Sequence, residues 1–384
     1  MPEPTRGFSP AEFAARKATL QSAMDAFGLD ALLLTTPADI GYVTGFMTRF
    51  FESPTRPWFV IVPRHGEIIA VIPAIGEPLI RRCAVSDIRT WPAPRPDDDG
   101  VSLLGEALHE VAGSSGTIGI PSHIETHVRM PLADFEKLRD GSSFIFGPDH
   151  GIMAAARAIK SEAEIAKIEH ACAIAGRAFD RVSEIARLGV PLSEVFRRFQ
   201  MLCLEEGADA VEYLAGGAGP LGYSDVISPA TDAPLQAGDI LMLDTGCVWD
   251  GYFCDYDRNF AIGGPDPVVL EAHAGLLDAT QAGFQAAKPG ATAADLFHEM
   301  DAILTGGAND PASGRLGHGL GMQLTEGCSL LPHDHTELRP GMVLTLEPAI
   351  ATRDGDMLVH EENIVITDTG ARHLTRFATD LPVF

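Results

Sequence analysis

LMLDTGCVWDGYFCDYDRNF, residues 241–260, sets two runs of alternating side chains on either side of Asp250-Gly251. Asp-Gly tolerates positive φ at both central positions of a tight turn, so the pair predicts a β-hairpin. A two-residue turn there places Asp244 opposite Asp257 and Gly246 opposite Asp255. Side chains alternate with period two, so the three aspartates share one face. Leu241, Leu243, Cys247, Tyr252, Cys254, Tyr256 and Phe260 take the other, which suits packing on a core. Like charges opposite one another destabilise a sheet, and a hard divalent cation is the simplest way to neutralise them. Taken alone, the stretch also fits an acidic rim facing water.

Outward from the hairpin, the chain has 384 residues, 46% of them hydrophobic, and a formal net charge of -25. That length supports two domains with their own cores, and that composition is one of a compact globular protein. So acidic a chain repels nucleic acid and anionic membranes, and neither is expected as a partner. The N-terminal MPEPTRGFSPAEFAARKATL lacks the apolar core of a signal peptide, and no apolar run approaches membrane-spanning length. A cytoplasmic location is expected. The six cysteines form no CxxC pair. Cys247 and Cys254 face each other across the hairpin, as buried free thiols or, less favoured, as a cross-strand disulfide.

In the first part of the chain, strands are expected at 31–35, 58–62, 68–72, 87–91, 117–120 and 143–146. A helix over 9–27 opens with Ser9-Pro10-Ala11-Glu12 as a cap, and helical patterns lie near 103–111 and 131–138. Strands alternating with helices predict an α/β domain over residues 1–150. Within it, TGFMTRFFESPTRPWF carries Phe50, Arg56 and Trp58 in a Pro-punctuated loop, either packed on itself or serving as a lid over a substrate. The pattern changes near residue 150. Helices are expected from Ser161 and over 192–205, 267–286 and 293–304, with strands at 211–215, 317–324, 342–347 and 357–366. The Gly-rich AGGAGPLGYSD interrupts the strand from Val211 and has no phosphate-loop lysine.

Beyond the hairpin, His318 lies in LGHGLGMQL, where glycines allow close approach. Glu347 lies in VLTLEPAI, held extended by Pro348, and Glu361 lies in LVHEENIVIT. The ordered set Asp244, Asp255, His318, Glu347 and Glu361 resembles the creatinase, prolidase and aminopeptidase P metallopeptidases of family M24. Ile159-Lys160-Ser161 with Glu164-Ile165 matches that family's IKSxxEI entry to the catalytic domain. The resemblance implies an α/β creatinase-like N-terminal domain followed by an α+β pita-bread catalytic domain over 151–384. It assigns the five residues as ligands of two divalent metal ions. Carboxylates plus one imidazole suit manganese, the first choice, or zinc, iron or cobalt. The implied reaction is hydrolysis of a C–N bond in a dipeptide or small amide by a metal-bridging hydroxide, with Glu347 also taking the water's proton. Creatinase-type relatives are commonly homodimers, which would let Phe50, Arg56 and Trp58 form a substrate wall in the partner's site.

Departures from the proline-specific pattern bear on substrate. Where those relatives carry a histidine eight residues before Leu235, this chain has Ile227, and where a second histidine precedes a glutamate, Thr325 precedes Glu326. Asp257 stands where relatives usually have threonine. Thr325 and Asp257 are therefore candidate catalytic groups. Tyr223, Asp225, Glu326 and His360 are candidate substrate contacts, and Arg258 is a further possible donor. GHGLGMQLTE with DYDRNF is also similar to ectoine hydrolase. A metal-dependent lyase of the dimethylsulfoniopropionate type and a non-catalytic binding module complete the alternatives.

Overall fold

The computed structural model describes residues 3–53, 57–308, 314–353 and 355–384. It contains two compact units, one spanning Thr5–Arg157 and the other holding Ala158–Phe384. The first runs α1 (Pro10–Phe27), β1 (Ala31–Leu34), α2 (Pro37–Thr44), β2 (Phe59–Pro63), β3 (Ile69–Pro73), α3 (Glu77–Ile80), β4 (Asp87–Trp91), α4 (Val101–Ala112), β5 (Thr117–Ile120), α5 (Leu132–Asp140), β6 (Ile145–Pro148) and α6 (Ile152–Ala158). The six strands form one mixed sheet in the order β4-β3-β2-β1-β5-β6. The all-apolar β1 pairs antiparallel with β2 and parallel with β5, as suits a strand covered on both faces. Ala31, Leu33, Ile61 and Val71 pack with Leu104 and Leu108 of α4. Ser9 caps α1 by accepting the Glu12 N–H (3.2 Å), whereas the Glu12 carboxylate turns to Arg16 (3.2 Å). The α6 residue Arg157 belongs with this unit, because its guanidinium pairs with buried Asp39 (2.8 Å).

The loop after α2 is packed. Trp58 lies with its ring centroid 5.1 Å from that of Phe46 and 5.8 Å from that of Phe51, and Arg129 donates to the carbonyls of Phe51 and Ser53. Trp58 is 1% exposed, which corrects its expected role as a substrate contact: the indole fills the core of its own unit. Phe50 is 43% exposed, and Arg56 lies outside the described residues.

The second unit runs α7 (Glu162–Asp180), α8 (Leu192–Glu205), β7 (Ala210–Gly219), β8 (Ile240–Trp249), β9 (Tyr252–Phe253), β10 (Tyr256–Ala261), α9 (Pro267–Ala286), α10 (Ala293–Leu304), β11 (Val343–Leu346), β12 (Ala349–Ala351), β13 (Met357–Val359), β14 (Glu362–Ile366) and β15 (Ala371–His373). One sheet has the order β10-β8-β7 with β9 also on β8, a second has β11-β14-β15, and β12 pairs with β13. The IKSxxEI motif has a physical task here. Ser161 and Glu164 form a reciprocal capping box that starts α7, and Glu164 also accepts the Tyr252 hydroxyl of the hairpin (2.8 Å).

At the hairpin turn Asp250 has φ +49 and Gly251 φ +80, the signs a type I′ turn requires. Asp244 pairs with Asp257, and Val248 with Phe253, the register expected from the turn. α7 covers the apolar face, where the Tyr256 hydroxyl donates to Cys172 O (2.9 Å). Cys247 and Cys254 are free thiols with sulfurs 3.4 Å apart. Three expectations of local structure change. Ala215–Gly219 is not a loop but prolongs β7 against β8, and a Cβ on Gly216 would lie 2.1 Å from Met242 O. Residues 317–324 form isolated bridges rather than a strand, and the expected strand over 357–366 breaks at His360-Glu361. Among the described residues no helix is long and apolar enough to cross a membrane.

Candidate metal centre

The two halves of the hairpin deliver the first two acids. Asp244 projects from the middle of β8, and Asp255 sits in the bend between β9 and β10. Asn363 of β14 clamps that bend: its Oδ1 accepts the Asp255 N–H (3.0 Å) and its Nδ2 donates to Asp255 O. The second sheet delivers the rest. Thr345 pairs with Asn363 and Leu346 with Glu362, so continuing the register one step places Glu347 opposite Glu361. The Glu347 N–H donates to Leu316 O (2.9 Å) and the Thr345 N–H to His318 O (2.7 Å), which joins the histidine segment to the end of β11.

These elements bring ligand atoms of Asp255, His318 and Glu361 within 4.8 Å of one another. His318 Nδ1 lies 3.0 Å from Gly319 O, which only accepts, so Nδ1 carries the proton and Nε2 faces the acids. Nε2 is 3.3 Å from Asp255 Oδ2 and 3.9 Å from Glu347 Oε2. Burial, then Asp255 and Glu347, raise the Asp244 carboxyl well above its usual range, opposed by a hydrogen bond from Tyr213. Burial and the surrounding carboxylates do the same to Glu361. Burial raises Asp255 against the pull of Arg315, and raises Glu347 against His318 and Arg315.

The donor set fits divalent cations. Asp244 Oδ1 and Glu361 Oε1 are buried without a hydrogen-bond partner among the described residues. Leaving such acceptors unsatisfied costs about 1–3 kcal/mol each, more when charged, and a cation relieves that cost. Oxygen donors with one imidazole and no thiolate suit manganese, iron, cobalt or zinc.

Other expected site residues fall elsewhere. Asp257 Oδ1 accepts the Glu361 N–H (3.0 Å), which fixes the backbone of that candidate ligand just ahead of β14. Thr325 accepts a hydrogen bond from Arg315 (3.2 Å). Glu326 is corrected as a substrate contact, because it pairs with Lys160 (2.9 Å) and both side chains are buried. Tyr223 is also corrected: it is buried, and its hydroxyl takes the Val359 N–H (2.6 Å) and meets Asn259 (3.2 Å). Asp225 is exposed and accepts the N–H groups of Ile227 and Ser228, which hold its carboxyl below the usual range. His360 is fully buried, 3.2 Å from Glu362 and 3.8 Å from Asp257, and burial depresses its pKa. Arg258 is committed to Glu362 (3.0 Å) and to the carbonyls of Asp257, Glu361 and Arg376. Although burial works the other way, Arg258 and His360 hold Glu362 at about 2. Sequence reading missed Arg315, Tyr213 and Asn363. Asn363 alone had a local signal, as the last residue of the EEN triplet.

Comparison with known proteins supplies the family. Residues 166–368 match the model of metallopeptidase family M24, and residues 16–159 that of the creatinase/prolidase N-terminal domain. The chain is 32% identical over 366 residues to an Xaa-Pro dipeptidase of Pyrococcus horikoshii, covering 93% of this chain and 96% of that one. It is 27% identical to a probable dipeptidase PepE of Mycobacterium tuberculosis, over 96% of this chain and 95% of that one. The crystal structure of dipeptidase PepE from Mycobacterium ulcerans matches with TM-score 0.85 at 26% identity, over 98% and 99% of the two chains. A prolidase from Thermococcus sibiricus shares the fold, with TM-score 0.87 at 22% identity over 98% and 100%. With a creatinase-type N-terminal domain ahead of a pita-bread catalytic domain, the chain is a hydrolase belonging to metallopeptidase family M24.

Proposed function

We propose that the protein is a dinuclear metallohydrolase that cleaves the C–N bond of a dipeptide or small amide, with Asp244, Asp255, His318, Glu347 and Glu361 holding two divalent ions, manganese first. The observation that carries this reading is the convergence of Asp255, His318 and Glu361 within 4.8 Å, with Glu347 3.9 Å from the same imidazole. Bound there, the ions supply a Lewis acid for the carbonyl and a water acidic enough to attack at neutral pH. The chain's own residues do the rest. Glu347 is the ligand best placed to exchange a proton with water, since its side chain is 30% exposed while those of His318 and Asp255 are 4% and 5%. Its raised pKa makes it a better base than an ordinary glutamate. Asp257 and Asn363 hold the Glu361 and Asp255 backbones in register.

An Xaa-Pro dipeptide is the first substrate class, because the 32% identical relative from Pyrococcus horikoshii is an Xaa-Pro dipeptidase. A small non-peptide amide is the second reading. It is favoured by Ile227, 80% exposed within the connection between β7 and β8, and by Thr325, which lacks an imidazole. In the same proposal the protein works as a cytoplasmic homodimer, with exposed Phe50 available to a partner.

Metal analysis of protein purified and then exposed to manganese should find two ions per chain, falling in Asp255→Ala. Absence of bound metal sinks the reading. Turnover of Xaa-Pro dipeptides, ectoine, creatine and dimethylsulfoniopropionate then separates peptidase, amidase and lyase, and processing of the last alone would contradict C–N hydrolysis.

A further inference from the structure

Asp257 has one carboxylate oxygen that the fold uses and one that it does not. Oδ1 accepts the Glu361 N–H (3.0 Å). Oδ2 is buried without a hydrogen-bond partner among the described residues, in a residue only 1% exposed. The strand register sets Asp257 directly opposite Asp244 in the β8-β10 ladder, where opposed Cβ atoms on one face lie about 4.5–5.5 Å apart. Asp244 Oδ1 and Glu361 Oε1 are buried and unpartnered in the same way. Three orphaned oxygens thus belong to one cross-strand pair and to the residue hydrogen-bonded to it. Among the described residues no side-chain donor reaches Oδ2. Arg258 gives its donors to the carbonyls of Asp257, Glu361 and Arg376 and to the Glu362 carboxylate. His360 Nδ1, 3.8 Å from Oδ1, is beyond hydrogen-bond reach.

We propose that Asp257 is a sixth protein ligand of the metal centre, with Oδ2 joining the ion that Asp244 holds, so that the centre prefers a hard, oxygen-seeking ion such as manganese to zinc. This goes beyond the five-ligand reading above and rests on it. Two acids opposed in a sheet, with free oxygens shut away from water, are destabilising unless a positive charge joins them. A carboxylate that spends one oxygen on a backbone N–H is held in orientation by that bond, and the other oxygen is left to a metal. With Asp257 included, five carboxylates and one imidazole serve the centre. Added oxygen donors suit manganese, which takes more ligands, over zinc, which is satisfied by four and accepts nitrogen and sulfur.

The test titrates wild type and Asp257→Asn with manganese and with zinc. Asparagine keeps a carbonyl oxygen for the Glu361 N–H and removes the second oxygen with its charge, so it separates ligation from positioning. Calorimetry should find two manganese ions in the wild type, one of them bound at least about 10-fold more weakly in Asp257→Asn, with a smaller loss for zinc. In cobalt(II)-loaded protein the visible d–d absorption should strengthen in the variant, because fewer ligands surround one ion. Weaker binding with an unchanged cobalt spectrum would make Asp257 a positioning residue and overturn the assignment. If Asp257→Asn does not fold, a crystal structure of manganese-loaded wild type decides: Oδ2 within about 2.0–2.6 Å of an ion supports the sixth ligand, and Oδ2 remote from both ions overturns it. Equal affinities and identical spectra in the two proteins overturn the sixth ligand and leave the five-ligand reading standing, whereas no bound metal in the wild type overturns both.

Discussion

Removing metal should change the sign of the protein's pH-stability relation. Asp244, Asp255, Glu347 and Glu361 all have carboxyls raised in the folded state, chiefly by burial and in part by one another. A carboxyl whose folded pKa exceeds its unfolded value of about 4 takes up a proton on folding. The metal-free fold therefore has its full stability below about pH 4 from these groups and loses it as pH climbs through their raised values. Bound cations act the opposite way, because they need deprotonated ligands and compete poorly with protons at low pH. At free metal of 100 times Kd each site adds about 2.7 kcal/mol. At about 2–4 °C per kcal/mol for a unit of this size, two sites should raise Tm by about 10–20 °C. Differential scanning calorimetry with manganese or EDTA at pH 5 and pH 8 measures this directly. The EDTA-treated protein should melt lower at pH 8 than at pH 5, and the manganese increment should be larger at pH 8. Equal melting with and without EDTA at pH 8 would refute the argument that these acids are arranged for cations.

Two further predictions concern the frame around the site. Lys160→Met leaves the buried Glu326 carboxylate without its ion-pair partner at 2.9 Å, so urea unfolding should show a loss of about 3–5 kcal/mol, and a loss below about 1 kcal/mol would show that the pair is not effectively desolvated. Gly216→Ala, at φ +149, drives a Cβ to 2.1 Å from the Met242 carbonyl in the β7-β8 ladder. The nearest contact is with ladder backbone, which cannot rotate away, so the variant should lose more than about 3 kcal/mol, and near-wild-type melting would refute the close approach.

Much of the fold was legible because its signals are local. Asp250-Gly251 encodes a turn through its own φ preferences, and the period-two alternation of the flanking strands then sets which acids share a face. Ser161 and Glu164 announce the start of α7 in the same way. Readings failed where partners were distant in sequence. Gly216, Gly217 and Gly219 look like a loop until β8 is placed alongside them, because a strand can be glycine-rich where another backbone must come close. Glu326 looks like a loop acid free to meet a substrate amine until Lys160, far earlier in the chain, is brought onto it.

The same distinction separates the expected metal ligands, which rest on short motifs, from the expected substrate contacts, which do not. Each ligand needs a backbone that delivers one side chain to a shared point, and short motifs achieve that: Pro348 extends the chain at Glu347, and Gly317 and Gly319 admit neighbouring backbone around His318. A substrate contact needs only reach. Tyr223, His360 and Glu326 all had suitable chemistry, yet each is spent on the fold, on Val359, Glu362 and Lys160 respectively. Arg315 was passed over because no spacing rule links it to Thr325 or Glu347, and its place depends on a turn-back of irregular chain between them. Substrate choice in such a site can therefore shift by changing residues outside the ligand motifs while the ligand geometry stays constant.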